Sequence, residues 1–387
     1  MVILFSVIKK FSKKNPVISF IYESFFQRPI INLFKNNYKK KVLFSYSTYH
    51  FSKKKYLGHS NYQESQIIAS IFDELGYQID VVNNNRDFKG SFSSYDIIFG
   101  EGLPIYDAIK SSTSAKIIYY GTGSHPWHCA NSSLKRVVDY YKSKQYLAIN
   151  STRIPDMSWG LAASTADAVI CIGNEITRQT FLHNGAVEVL TVDPTFHQRN
   201  DALKIAKSKS FKNCRNSMLW FGSYGLLHKG LDLAVEAFSQ RPDWTLHICG
   251  YTPAEKKFLD TLNLTSNIII HGFINVFEDE FKELAQQCGF VILPSCSEGT
   301  ATAVITAVGN GAMIPVVTKE CGYDIGTSGY TIELSVQDIL RQLNELDSIE
   351  TSQLNDLAVT AQLDAISRFT VENFQKKMKD CLTKLIN

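Results

Sequence analysis

The stretch Gly289–Thr318, GFVILPSCSEGTATAVITAVGNGAMIPVVT, narrows the choice of fold more than any other part of the chain. Phe290–Leu293 is a short apolar run bounded by Gly and Pro, the pattern of a strand covered on both faces of a parallel sheet. Pro294-Ser295-Cys296-Ser297-Glu298-Gly299 has turn chemistry, with Ser297 placed as a helix N-cap. Thr300–Val308 then has helical character, stopped by Gly309-Asn310-Gly311, and Ile314–Thr318 is a second strand. This is a βαβ unit. Its strand-to-helix corner offers backbone N–H groups, a helix N-terminus and one carboxylate, Glu298. Such a corner suits a diphosphate beside a hydroxylated sugar, although a plain capped crossover has the same pattern.

The alternation extends in both directions. Val42–Thr48, Gln78–Val82, Tyr95–Phe99, Lys116–Tyr120, Ala168–Gly173 and Val187–Val192 have strand character, with helical stretches between them. Residues 196–215 are polar, basic and free of strand signals, as expected of an interdomain linker. Strands and helices then restart at Ser217–Gly222 and continue to the C-terminus. The 387 residues suffice for two full cores. The expected class is α/β, with two Rossmann-like doubly wound parallel-sheet domains facing a central cleft. The divisions are a basic extension 1–41, a first domain 42–195, the linker, a second domain 216–365 and a C-terminal helix 366–387 that can cross back. Ligands are expected at the C-terminal strand ends.

Charge is distributed unevenly. Residues 1–55 hold twelve Lys or Arg against one acid, Glu23, a balance of +11, so the rest carries −8 within the overall +3. Apolar clusters at 1–8, 17–22 and 30–34 alternate with these lysines, and none approaches the roughly 20 residues of a membrane span. The arm suits the surface of an anionic membrane; packing on the body is the alternative. Nucleic acid is not an expected partner, because no recognition fold accompanies the arm. Eight cysteines are scattered with no CxxC pair, and nine histidines form no HxxxH pair, so neither a disulfide frame nor a structural metal is expected, and the setting is a reducing cytoplasm. Glu278-Asp279-Glu280 reads as acids in a helix's first turn before it reads as a metal site.

The second domain opens with Trp220-Phe221-Gly222-Ser223-Tyr224-Gly225-Leu226-Leu227-His228-Lys229-Gly230-Leu231-Asp232, a strand running into a glycine-bearing turn. Gly222 and Gly225 let a phosphate approach the backbone, and Lys229 supplies a cation at the helix start, where its charge opposes the dipole. In the first domain, Tyr120-Gly121-Thr122-Gly123-Ser124-His125-Pro126-Trp127-His128 follows a strand and precedes a helix. His125 is either a cleft residue or a helix-capping one. Gly58, His59 and Asn61 follow the first strand and stand where an acceptor or phosphate would lie.

Phe221-Gly222-Ser223 through Lys229-Gly230-Leu231-Asp232, with Pro294-Ser295-Cys296-Ser297-Glu298-Gly299 about 70 residues on, resembles the GT-B retaining glycosyltransferases of family 4. The likeness spans roughly residues 41–380 and is strongest over 218–318. It implies that Gly222 and Lys229 bind the diphosphate of a nucleotide-sugar donor. Glu298 would hold donor-sugar hydroxyls, with the Gly299, Thr300 and Ala301 amides on the phosphate. His125 would meet the sugar through its ring or its backbone carbonyl, and Gly272 and Phe273 would contact the base. The sequence departs from the family twice: Ser223 stands where an arginine is common, and Thr306 stands where a second glutamate would hold the ribose. The implied activity is hexosyl transfer to a glycan or lipid-linked acceptor in cell-surface polysaccharide, capsule or lipopolysaccharide synthesis, at the inner face of the membrane and with no cofactor or metal. Ser223 and Thr306 favour the alternative, a catalytically inactive binding or scaffold protein. A sugar-nucleotide epimerase shares the architecture, but no acid/base pair stands out for it.

Overall fold

The computed structural model describes residues 28–51, 60–250 and 253–386. Residues 1–27, Gly58 and His59 lie outside the described residues, so most of the basic arm and two of the three first-domain loop candidates do too. Two six-stranded, all-parallel sheets form the molecule, each flanked by helices. The first has β1 (Lys40–Ser45), β2 (Tyr77–Val82), β3 (Ile97–Gly100), β4 (Lys116–Gly121), β5 (Ala168–Ile172) and β6 (Val189–Val192), in the order β2-β1-β3-β4-β5-β6. The second has β7 (Ser217–Phe221), β8 (Thr245–Cys249), β9 (Ile268–Gly272), β10 (Phe290–Leu293), β11 (Ile314–Val317) and β12 (Tyr330–Thr331), in the order β12-β11-β10-β7-β8-β9.

The strands read as unbroken apolar runs because helices cover both faces of each sheet. Val42, Leu43, Phe44, Val291, Ile292 and Leu293 have no exposed surface at all. In the second sheet the strand order reverses direction at β7, which lies between β10 and β8. Such a reversal splays the loops leaving two neighbouring strands and opens a crevice between them. The turn after β7 carries Lys229, and the turn after β10 carries Glu298. Topology alone therefore brings these two segments together.

Two segments depart from the sequence expectation, and part of the extension takes the packed alternative. Residues 196–215 contain helices Ala202–Ser208 and Phe211–Cys214, and Ile205, Phe211 and Cys214 are buried in the second domain's core. The Lys209 ammonium donates to the carbonyls of Cys288 and Ala312, and burial pushes its pKa down to about 8. Next, the helix after β10 is Thr302–Gly311, two residues later than expected, with Ala301 rather than Ser297 at its N-cap. The reason is tertiary: the Glu298 and Ala301 amides donate to the carbonyls of Glu320 and Cys321, which holds 298–301 as a loop. Finally, Ile30 pairs antiparallel with Val81, so part of the extension edges β2.

The C-terminal helix Val371–Ile386 leaves the second domain and packs on the first, burying Phe374, Met378, Leu382 and Leu385 among Ile68, Phe72 and Ile170. It straps the two domains into one unit. Leu382→Ala should cost about 2–5 kcal/mol in urea unfolding, the range for a truncated buried leucine. A cost below about 0.5 kcal/mol would mean that this helix does not hold the first domain's core.

Candidate active site

Glu298 is the centre of the site. Its Oε1 accepts from the Lys229 ammonium at 2.5 Å and from the Ser295 hydroxyl at 3.1 Å, while its Oε2 accepts from Arg153 at 3.0 Å. The Glu298 and Lys229 side chains are 8% and 5% exposed, against 35% for Arg153. Burial by itself would raise the Glu298 pKa, but Lys229 and Arg153 overcome it and hold the carboxyl well below its ordinary value. Burial and the neighbouring Arg153 lower the Lys229 pKa, and Glu298 opposes them. His228 is buried beside this group, with Nε2 donating to the Ser297 carbonyl at 2.5 Å. Burial lowers its pKa to about 4, so it is neutral at pH 7. The cluster of two cations and one carboxylate therefore carries one surplus positive charge.

The backbone explains why Lys229 reaches the loop after β10. Gly230 precedes helix Leu231–Ser239 in the left-handed region (φ 65°), and a Cβ there would lie 2.1 Å from the Pro294 carbonyl oxygen. Only glycine lets the β7 turn come this close. The Cys296 amide donates to the His228 carbonyl across the same contact.

The turn after β7 is arranged differently from the sequence expectation. The Gly222 amide donates to Cys249, and the Gly225 and Leu226 amides both donate to the buried Glu255 carboxylate at 3.0 and 2.9 Å. Gly222 and Gly225 thus shape the turn without presenting free donors. Ser223 is exposed at its tip. Likewise the Ala301 amide, expected on a phosphate, is engaged by Cys321. Gly299 and Thr300 keep amides with no partner among the described residues, although the Thr300 hydroxyl donates to Gly322.

His125 takes the helix-capping alternative. Its Nδ1 accepts from the Trp127 amide as the N-cap of helix Pro126–Lys144, its Nε2 lies 3.1 Å from Ser164 Oγ, and its ring packs between Trp127 and Phe181. Its carbonyl accepts from the Cys129 amide within the helix. Both ring nitrogens are engaged, because Pro126 at the first helical position leaves the next amide needing a cap, while the carbonyl keeps a second lone pair. Burial lowers this ring's pKa to about 4. Ser124, its neighbour, is the residue that meets the second domain, through a hydrogen bond to Ser297 Oγ.

The remaining candidates divide. Thr306 is on helix Thr302–Gly311 with its hydroxyl donating to Thr302, four residues back, at 2.8 Å. Phe273 is 82% exposed after β9, next to half-buried Gly272. Asn61 belongs to helix Ser60–Glu74, and its Oδ1 is buried with no partner among the described residues, as is the Tyr120 hydroxyl. Glu278, Asp279 and Glu280 stand at the start of helix Asp279–Gln287.

Sequence reasoning missed Arg153 and Glu101. Arg153 comes from the first domain, and nothing in one-dimensional spacing links it to Glu298, 145 residues away. Glu101, in Gly100-Glu101-Gly102 after β3, bonds Asn84 and Thr122 at the first domain's strand ends. The flanking glycines were a usable signal. Burial pushes Glu101 and Glu64 each up to about 7.

A family model described as "Glycosyl transferases group 1" matches residues 215–347. Among curated proteins, none matches the sequence. Of solved structures, Anabaena Alr3699/HepE in complex with UDP-glucose is similar at 15% identity, covering 89% of this chain and 99% of that one, with TM-score 0.56. Sucrose-phosphate synthase from Thermosynechococcus elongatus is similar at 13% identity over 90% and 99%, with TM-score 0.60. A glycosyltransferase from Rickettsia africae is similar at 14% identity over 90% and 100%, with TM-score 0.55. At these identities the likeness is one of fold, the two-domain GT-B arrangement.

The buried carboxyls yield a pH prediction. Unfolded, Glu101 titrates near its ordinary 4.5; folded, near 7. The folded state therefore binds more protons between those values, and stability falls as pH rises from about 4.5 to 7. A shift of this size corresponds to about 3 kcal/mol. Glu101→Gln should raise the melting temperature relative to wild type more at pH 8 than at pH 5. An equal difference at both pH values would mean that Glu101 is ionised in the folded protein throughout.

Proposed function

The chain being a glycosyltransferase, we propose that it moves a sugar from a nucleotide-activated donor with retention of anomeric configuration, and that Lys229 and Glu298 carry the donor end of the reaction. The observation behind this is the Lys229–Glu298 contact at the crevice between the β7 and β10 turns. That crevice has a surplus positive charge and two unengaged amides, at Gly299 and Thr300. Diphosphate needs cations and N–H donors, and sugar hydroxyls need a carboxylate that stays ionised. Helix Thr302–Gly311 adds the positive end of its dipole.

In the proposed reaction the bond from the sugar's anomeric carbon to the phosphate oxygen breaks as the acceptor hydroxyl oxygen attacks the same face. The acceptor proton passes to the departing phosphate oxygen. Lys229, Gly299 and Thr300 stabilise the charge growing on that diphosphate, while Glu298 fixes the sugar. In this reading Ser223 and the exposed Phe273 would contact the nucleotide. Thr306 has one uncharged hydroxyl for a ribose, and with its proton given to the Thr302 carbonyl it can serve as an acceptor.

The acceptor would be a glycan or lipid-linked sugar in cell-surface polysaccharide or lipopolysaccharide assembly, approached from the first domain near Asn61. The +11 balance of residues 1–55 supports a peripheral position on an anionic membrane at its cytoplasmic face. No helix among the described residues is long and apolar enough to cross a membrane.

A thermal-shift screen of nucleotide sugars should show one donor that raises the melting temperature, since a ligand of the folded state stabilises it. With that donor, Glu298→Gln and Lys229→Ala should each lower kcat/KM by a hundredfold or more, about 2.7 kcal/mol. No stabilisation by any nucleotide sugar, or wild-type turnover in either variant, would overturn the assignment.

A further inference from the structure

Arg153 reaches the site from the opposite domain. Its backbone is pinned where the domains meet, with its carbonyl accepting from the Ser133 hydroxyl at 2.8 Å and its amide donating to the same oxygen at 3.3 Å. Two residues earlier, the Ser151 carbonyl accepts from the Leu227 and His228 amides of the β7 turn. The side chain then lies along that turn: a Cβ on Gly225 would sit 3.3 Å from its Cγ and 3.4 Å from its Nε. Among the described residues the guanidinium has one ion-pair partner, Glu298.

The Glu298 carboxylate is oversubscribed. Lys229, buried and closer at 2.5 Å, is enough to neutralise it, and Arg153 adds a second cation on the other oxygen. Of the three charged groups Arg153 is the one open to solvent. The turn it overlies presents no amide at Gly225 or Leu226, because Glu255 takes both, and Ser223 brings no charge. The cation of the β7 turn, Lys229, is already paired with Glu298 and nearly buried, so a dianionic ligand in this crevice gains a second, more accessible cation only from Arg153.

We infer that Arg153 is a first-domain ligand of the donor diphosphate and that its pairing with Glu298 fills that role while the crevice holds no donor. This rests on the nucleotide-sugar reading. When a diphosphate enters, the guanidinium exchanges one carboxylate oxygen for two phosphoryl oxygens, a fork geometry that lysine cannot reproduce. The exchange frees Glu298 Oε2 for a sugar hydroxyl. Because Arg153 belongs to one domain and Lys229 to the other, the diphosphate then ties the domains together.

Calorimetry on the full chain tests this with UDP, ADP and GDP, and with uridine, adenosine and guanosine as phosphate-free controls. Arg153→Ala should weaken the preferred nucleoside diphosphate at least tenfold and leave its nucleoside unchanged, with Arg153→Lys intermediate. The salt dependence of diphosphate binding should flatten in the alanine variant. Wild-type diphosphate affinity in Arg153→Ala overturns the inference and leaves the nucleotide-sugar reading standing. Equal losses for nucleoside and diphosphate in both variants overturn it as well, in favour of a purely structural latch. A wild-type protein that binds none of the three diphosphates ends both.

Discussion

A carboxylate with almost no access to water, held ionised by cations from two domains, is the constraint on which this structure turns. Burying Glu298 alone would be expensive, because an isolated charge in a low-dielectric setting loses its hydration. Lys229 offsets that cost from one side and Arg153 from the other. Each partner has its own support. Gly230 lets the lysine's turn press against Pro294, and Ser133 anchors the arginine's backbone. The position of each charge thus depends on packing some distance away.

The same seam contains further polar contacts that close the domains on each other. Arg136 and Asp232 form a buried pair at 2.5 Å, Ser133 lies 2.8 Å from His228 Nδ1, and Thr177 donates to the Gly299 carbonyl at 2.9 Å. Gly299 sits so close to Ile172 and Gly123 that a side chain there would meet backbone from the first domain. An interface this polar gains modestly from each contact, since each replaces a bond to water. The C-terminal helix also joins the pair, through its apolar face and through the ion pairs Lys379–Glu74 and Lys384–Glu188.

How far the site was legible can be judged from particular residues. Lys229 and Glu298 stood out because each occupies a strand-to-helix corner, and parallel strands direct such corners to one edge of a sheet. Their being neighbours also followed once the strand order was known. Ser297 as a helix cap and the Ala301 amide as a free donor were not realised, for a shared reason. A sequence displays which backbone and side-chain donors exist, and only folding decides which are taken internally. The Ala301 amide is lost to Cys321, the Gly222 amide to Cys249, and the His125 ring to the helix that follows it.

Alternating short apolar runs and helical periods were enough to determine two parallel α/β sheets and the strand-to-helix corner that carries Glu298, because both patterns arise from interactions a few residues long. The apolar content of 196–215 was outweighed by its lysines, so its burial was not readable. Nor was the strand order that puts β7 beside β10, the hydrogen bonds that use up particular amides, or the meeting of Arg153 with Glu298. Those depend on contacts between residues separated by up to 145 positions, and on the competition of each polar group for its nearest partner once water has been excluded. Local sequence carries no record of that competition, and the tertiary structure settles it.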